Sequence, residues 1–295
     1  MLAGKLLGIP VKGTHAHSWV MCFDSEMAAF QAYAAAMPNN CVLLVDTYQT
    51  LEGVRRAVEV GKMLRAQGHR LLGVRLDSGD LARLSAEARK ILDSQGFSDA
   101  AIFASNDLDE HTIASLKQQQ AAIDVWGVGT RLVTAHDDPA LGGVYKLSAI
   151  RAAGKPWQDR IKVSDEPAKT STPGLLQVRR YCQQGEALAD AIFNVDQPPG
   201  ESCTVVDLDD PTQRRTIAPG TPGTDLLVPV FRAGKRVYEL PSIEQARRRV
   251  QEQLAMFRPE VKRLVRPDRY FVGLEAGLHE RKTQLIRRAR AVTSA

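Results

Sequence analysis

Apolar runs of four or five residues recur through the first half of the chain, and the polar residues that close them are almost evenly spaced. The runs are 41–45 (CVLLV), 71–74 (LLGV), 101–104 (AIFA) and 123–126 (IDVW), with 9–11 (IPV) a weaker candidate. His17 and Asp46 lie 29 residues apart, Asp46 and Arg75 29, and Arg75 and Ser105 30. Helical patterns fill the intervals over 26–37, 50–67, 78–92 and 109–120, each with an acidic residue near its start. Thr50 is the expected N-cap of the second, and Gly68 its stop. Short buried strands joined by helices of this length give a parallel sheet with helices covering it. The period puts 14–17, 46–47, 75–77, 105–106 and 127–130 on one rim, at the C-terminal ends of the strands. A β/α barrel builds its active site there from many strands, whereas an open sheet binds mainly at one switch point. The even spread favours closure. A whole barrel takes eight strands, and about five are evident, or seven with 142–147 and 161–163. The expected fold class is therefore α/β, a partial barrel entered partway round.

Past residue 150 the pattern changes. Residues 155–174 read as loop, and 175–181, 189–195, 203–207 and 226–238 read as strands, broken by 198–200 (PPG) and 219–223 (PGTPG). Residues 240–242 (LPS) cap a long amphipathic helix over 243–257, and a last helix covers about 274–290. The expected organisation is 1–175 as a partial α/β barrel bearing the active-site rim, 176–242 as a small β-rich segment, and 243–295 as C-terminal helices forming a basic tail.

Composition narrows the class further. With 44% hydrophobic and 25% charged residues among 295, the chain is neither disordered nor fibrous. No stretch approaches the roughly 18 to 20 apolar residues of a membrane helix, and 1–8 is too weakly patterned for a secretory signal. Cys22, Cys41, Cys182 and Cys203 form no CxxC pair or metal-ligand spacing. A cytoplasmic protein is expected. The net charge of +5 is uneven: residues 1–150 sum to −2 and 151–295 to +7, all of the excess matched by 243–290. Without interleaved aromatics or a nucleic-acid motif, that tail reads as a solvated helix face, and neither membrane nor nucleic acid is an expected partner.

Three constellations on the rim carry chemistry. In 13–18 (GTHAHS), two histidines at i and i+2 face opposite ways if the segment is extended. One suits a nucleophile or acid–base role near carboxylates, although a structural role is equally compatible. In 75–80 (RLDSGD), the Arg75 fork suits a phosphate or carboxylate, and Asp77 and Asp80 suit ribose hydroxyls or Mg²⁺. The plainer alternative is an Arg75–Asp77 pair with Ser78 capping the next helix. In 127–130 (GVGT), small residues after a strand let backbone N–H groups approach a phosphate, with 105–107 (SND) adding donors one strand earlier.

Taken together and in order, GTHAHSWVMCFDSE, LLVDTYQTLEGV, GVRLDSGDL, FASNDLDE, VWGVGTRLVTA with PALGGVYKL, and LLVPVFRAGKRVYELPS closely resemble nicotinate phosphoribosyltransferase, across about 2–285. The resemblance implies a type II phosphoribosyltransferase with an irregular α/β barrel and a second domain. It implies conversion of nicotinate and phosphoribosyl pyrophosphate to nicotinate mononucleotide and pyrophosphate in NAD biosynthesis. It further implies coupling to ATP hydrolysis through a phosphohistidine, Mg²⁺ as metal, and a homodimer. By motif match His17 is the phosphorylated histidine and Asp77 the ribose-binding aspartate, the two catalytic residues. Thr14 contacts nicotinate, Arg75 lies at nicotinate and ribose, and Ser105, Asn106, Gly127, Gly129 and Thr130 form the 5′-phosphate cradle. Metal ligands are unassigned. Asp46 is a candidate to orient His17, by position alone.

In one respect the chain departs from the family. Members carry an N-terminal domain and the first barrel strands before GTHAHS, and here 1–12 alone precede it. The expectation is a truncated product, a mis-assigned start or half of a split enzyme, lacking the nicotinate-stacking aromatics. Two alternatives stay open: a related phosphoribosyltransferase of the nicotinamide type, and a non-catalytic ligand-binding or interaction module.

Overall fold

The computed structural model describes residues 2–140, 142–166 and 169–293. Contacts divide the chain into two units, Met1–Gly142 and Gly143–Ala295, so the expected boundaries at 175 and 242 both fall inside the second.

The first unit contains α1 (Leu2–Leu7), α2 (His17–Met21), α3 (Glu26–Ala36), β1 (Cys41–Leu44), α4 (Thr50–Ala66), β2 (Leu71–Leu76), α5 (Leu81–Ser94), β3 (Ala101–Ala104), α6 (Glu110–Gln118), β4 (Val125–Trp126) and α7 (Thr130–Val133). The strands form one parallel sheet in the order β1-β2-β3-β4, the partial α/β barrel that the period predicts. Alternation along the strands sorts their side chains. Cys41, Leu43, Val74, Leu76, Ile102 and Ala104 join a buried core with residues of α3, α4 and α5, such as Phe30, Ala57 and Ala88. Val42, Leu72, Phe103 and Val125 face the other way and line a cavity.

Helix ends follow local chemistry, with two shifts. Gly68 has φ +77° and closes α4 as expected. Gln49 and not Thr50 holds the α4 cap position, and Thr50 is the first helical residue. Gly79, at φ +75°, delays α5, so Asp80 caps it by accepting from Arg83 N–H at 3.1 Å. Asp80 is thereby engaged in the helix terminus and Ser78 is free of the capping role.

Three expected strands are coil. Residues 9–11 contain Pro10, which has no N–H to pair. In 142–147, Val144, Tyr145 and Leu147 are exposed, so their alternation buries nothing. In 161–163, Lys162 exchanges bonds with Ser171, its N–H donating to Oγ and its carbonyl accepting from Ser171 N–H.

The second unit contains β5 (Ala149–Ile150), β6 (Gln158–Asp159), β7 (Leu176–Gln183), β8 (Glu186–Asn194), β9 (Cys203–Asp207), β10 (Arg214–Ile217), β11 (Gly223–Asp225), β12 (Phe231–Arg232), β13 (Lys235–Arg236), α8 (Ile243–Ala255), β14 (Val272–Glu275) and α9 (Ala276–Thr293). Six strands form one sheet in the order β10-β9-β14-β8-β7-β11. The expected strand over 226–238 is instead mostly coil with the short β12–β13 hairpin, turned by Ala233 and Gly234 at positive φ. Ser242 caps α8 with a reciprocal Gln245 contact, as the LPS signal predicts. The segment expected as two C-terminal helices also supplies β14, which lies between β8 and β9. On the neighbouring strands, Arg180 of β7 forks onto Asp190 of β8 at 2.9 and 2.8 Å, and the Tyr270 hydroxyl donates to the same carboxylate at 2.8 Å. Among the described residues no helix is long and apolar enough to cross a membrane.

Candidate active site

The C-terminal ends of β1, β2 and β3 bring five side chains into one hydrogen-bonded group. The Asp46 side chain, just past β1, is fully buried. Its Oδ2 accepts from the Asp77 N–H at 2.8 Å and from the Ser78 hydroxyl at 2.6 Å, which ties the end of β1 to the turn after β2. Arg75 donates from Nε to Ser105 Oγ at 2.9 Å and from Nη2 to Asp77 Oδ1 at 3.2 Å. The Ser105 hydroxyl donates to the same Asp77 oxygen. Burial pushes the Asp77 carboxyl up, but the Ser105 and Arg75 hydrogen bonds, the Arg75 charge and His17 outweigh it and hold it below the usual carboxylate range.

The extended segment before α2 sends its two histidines opposite ways. His15 is buried. Burial, chiefly, holds its imidazole below the ordinary histidine value. His17 is 38% exposed, with Nδ1 at 3.1 Å from Thr47 Oγ1. Its Nε2 lies 3.5 Å from Asp77 Oδ2 and 3.8 Å from Asp46 Oδ1. A histidine between two carboxylates is held as a base or nucleophile and, when protonated, has counter-charges at hand.

Beside this group lies a cavity of about 570 Å³, with Thr14, Arg75, Ser105 and Gly127 at its polar edge and Leu72, Phe103 and Trp126 among its apolar walls. A flat aromatic ring with one anionic substituent suits such a lining. Two local bonds restrict what the edge can offer. The Thr14 hydroxyl donates to the Val42 carbonyl, which leaves it only acceptor capacity. The Gly127 N–H donates to the Ala104 carbonyl at 2.7 Å, so it is not free for a phosphate. Gly127 also sits tightly, since a Cβ there would be 3.3 Å from Ser105 Cβ.

The remaining expected residues stand apart from this cluster. Asn106, Gly129 and Thr130 are exposed and do not line the cavity. Asn106 and the following Asp107 hold φ of 96° and 44°, a left-handed pair that costs non-glycine residues about 1–3 kcal/mol each. The sequence assigns Asp46 by position alone, puts Thr47 on the rim without a role and offers Ser78 only as a helix cap. The shared signal was a polar dipeptide at each strand end, DT at 46–47 and DS at 77–78.

No group of three or more His, Cys, Asp and Glu among the described residues is spaced to hold a metal by itself. Mg²⁺ needs less, because it keeps waters and substrate phosphates as ligands. Asp46 Oδ1 is buried without a hydrogen-bond partner and Asp77 is partly exposed next to it, so this pair fits a magnesium ion shared with a phosphorylated substrate.

The family model described as Nicotinate phosphoribosyltransferase (NAPRTase) family matches residues 2–193, and that of the nicotinate phosphoribosyltransferase C-terminal domain matches 177–282. The nicotinate phosphoribosyltransferase of Bacillus subtilis is 42% identical, covering 96% of this chain and 58% of its own length. One from Mycobacterium tuberculosis is 40% identical, over 90% of this chain and 50% of its own. The chain thus spans between half and three-fifths of these relatives. The crystal structure of human nicotinic acid phosphoribosyltransferase superposes with a TM-score of 0.78 at 27% identity, over 96% of this chain and 63% of that one.

Proposed function

The chain belongs to the nicotinate phosphoribosyltransferase family, and on that premise we propose that it carries the catalytic rim of such an enzyme. The reaction is nicotinate, phosphoribosyl pyrophosphate and ATP to nicotinate mononucleotide, pyrophosphate, ADP and phosphate, in NAD biosynthesis. A homodimer and a cytoplasmic setting belong to the same proposal. The observation that supports it most is the convergence of Asp46, Arg75, Asp77 and Ser105 from β-strand ends about 30 residues apart on His17 at the start of α2.

The residues divide the work by their chemistry. A neutral His17 attacks the γ-phosphorus of ATP, an N–P bond forms, and the P–O bond to ADP breaks. Later, water takes the phosphoryl group as inorganic phosphate and frees the imidazole. In the transfer itself, the pyridine nitrogen of nicotinate bonds to the anomeric carbon as the bond to pyrophosphate oxygen breaks. Asp77, kept ionised by Arg75 and Ser105, holds ribose hydroxyls and offsets the positive charge growing on the sugar. Arg75 uses Nε and Nη2 on its neighbours and presents Nη1 to the nicotinate carboxylate. With the Gly127 N–H already committed, the 5′-phosphate falls to Asn106, Gly129 and Thr130, which have open surroundings. When bound at Asp46 and Asp77, Mg²⁺ would neutralise substrate phosphate charge.

Incubation with ATP labelled at the γ-phosphate tests the reading. Acid-labile, base-stable label on His17, absent in His17→Asn, is the expected result. Nicotinate and phosphoribosyl pyrophosphate should then yield nicotinate mononucleotide, either with the chain alone or with a co-expressed polypeptide supplying the remaining length of the Bacillus subtilis relative. Absence of both label and product in both arrangements overturns the proposal.

A further inference from the structure

Among the described residues β1 has a hydrogen-bonded strand neighbour on one side only, β2. Val45 N–H donates toward β2, to the Arg75 carbonyl at 3.1 Å. Residues two apart point to the same edge, so the Val42 carbonyl and the Leu44 N–H both turn to the opposite, strandless side. Left bare, such groups in a buried setting are costly. Side chains meet both of them. The Thr14 hydroxyl donates to the Val42 carbonyl, and His15 Nε2 accepts from the Leu44 N–H at 3.3 Å. Two consecutive side chains, one donor and one acceptor, thus stand where a partner strand would supply backbone groups. His15 is 7% exposed, with its ring edge-on to Tyr33 at 4.7 Å and tilted against Phe30 at 6.0 Å.

We propose that His15 is a positioning residue: accepting the Leu44 N–H bond in its neutral form, it pins 13–16 to the free edge of β1 and so holds His17 at the rim beside Asp46 and Asp77. Its consequence for chemistry rests on the reading of His17 as the phosphoryl acceptor; its geometry does not. Only an unprotonated Nε2 accepts this bond, because protonation sets two N–H donors face to face. The groups that bear on the ring are Tyr33 from α3, Arg75 at the end of β2, His17 two residues on and the Ala16 carbonyl. Burial first, then the Arg75 and His17 charges, oppose protonation against the Ala16 contact. The pin is therefore closed at neutral pH and opens only in acid, below the ordinary histidine value.

Two variants of the full chain test this. His15→Leu keeps bulk and removes the acceptor; His15→Gln restores an acceptor that does not titrate. Leu44 amide exchange should quicken roughly tenfold or more in His15→Leu and return toward normal in His15→Gln, with His17 phosphorylation slowing and recovering in parallel. The acid limb of phosphorylation should be less steep in His15→Gln than in the unaltered chain. Normal exchange and labelling in His15→Leu overturns the proposal, as does fast exchange with labelling unchanged. If His15→Leu does not fold, an unchanged acid limb in His15→Gln overturns it. If the unaltered chain takes no label and gives no product, alone or with the co-expressed polypeptide, the phosphoryl reading fails, and the His17 ring ¹⁵N shifts decide instead: displaced in His15→Leu and restored in His15→Gln supports positioning, and no displacement refutes it.

Discussion

Asp46 turns a buried carboxylate oxygen toward His17 and leaves it unsatisfied. Oδ1 has no hydrogen-bond partner and lies 3.8 Å from His17 Nε2, while Oδ2 is bound by Asp77 and Ser78. A buried acceptor left bare costs about 1–3 kcal/mol, and a cationic imidazole or a metal ion relieves that cost. The structural and the chemical halves of this carboxylate are therefore separable.

Asp46→Asn separates them. The amide oxygen can keep the Asp77 and Ser78 bonds while the charge is lost. Denaturant unfolding should shift by about 1 kcal/mol or less, and His17 phosphorylation should fall at least about tenfold, or ~1.4 kcal/mol. Labelling at the unaltered rate would remove Asp46 from the mechanism.

The Asp77 carboxyl is the pH-sensitive joint of the rim. Its folded value lies below the ordinary 3.8, so its stabilising effect is present above that value and is lost as pH falls through the lower folded one. Ser105→Ala removes one donor that holds it down. A carboxyl ¹³C titration should show the Asp77 midpoint rising toward 3.8 in this variant; an unmoved midpoint would assign the depression to Arg75 and His17.

Gly53 fixes how closely α4 approaches β1. A Cβ there would sit 2.1 Å from the Val45 carbonyl oxygen, one residue before Asp46. Gly53→Ala should cost about 1–3 kcal/mol or more in urea unfolding and also slow His17 labelling. Gly68→Ala meets nothing within 4 Å but is forced to φ +77°, and should cost about 1 kcal/mol with labelling unchanged.

In the second unit, the Arg180–Asp190 pair is only 13% and 8% exposed. Asp190→Ala leaves Arg180 and the Tyr270 hydroxyl without their shared acceptor, and should cost about 3–5 kcal/mol. Tyr270→Phe removes one neutral donor, and about 1–2 kcal/mol is expected. Equal effects in thermal or urea melts would mean that the ion pair is solvated in practice.

Much of the rim was legible because it depends on a repeat. Polar positions 29 or 30 residues apart locate His17, Asp46, Arg75 and Ser105 without any tertiary information, and their side chains meet in the structure, although His17 comes from the start of α2 and not from a strand end. β14 was not legible. Residues 272–275 (VGLE) run straight into a helix, and only their place between β8 and β9 makes them a strand. Gly273 shows the cause, since a Cβ there would lie 2.2 Å from the Val206 oxygen, a contact between residues far apart in sequence.

Periodicity and charge by themselves determined the parallel sheet, the helix intervals and the strand ends that carry polar residues, because burial of an apolar face is written in the local pattern. Tertiary structure alone decided which of those polar groups are still available. It committed Gly127 and Thr14 to neighbouring carbonyls, set Asp80 to cap a helix, left Asp46 Oδ1 bare and put His15 on the β1 edge. A hydrogen bond is made with whatever the fold brings within about 3 Å, and a linear pattern holds no record of that distance.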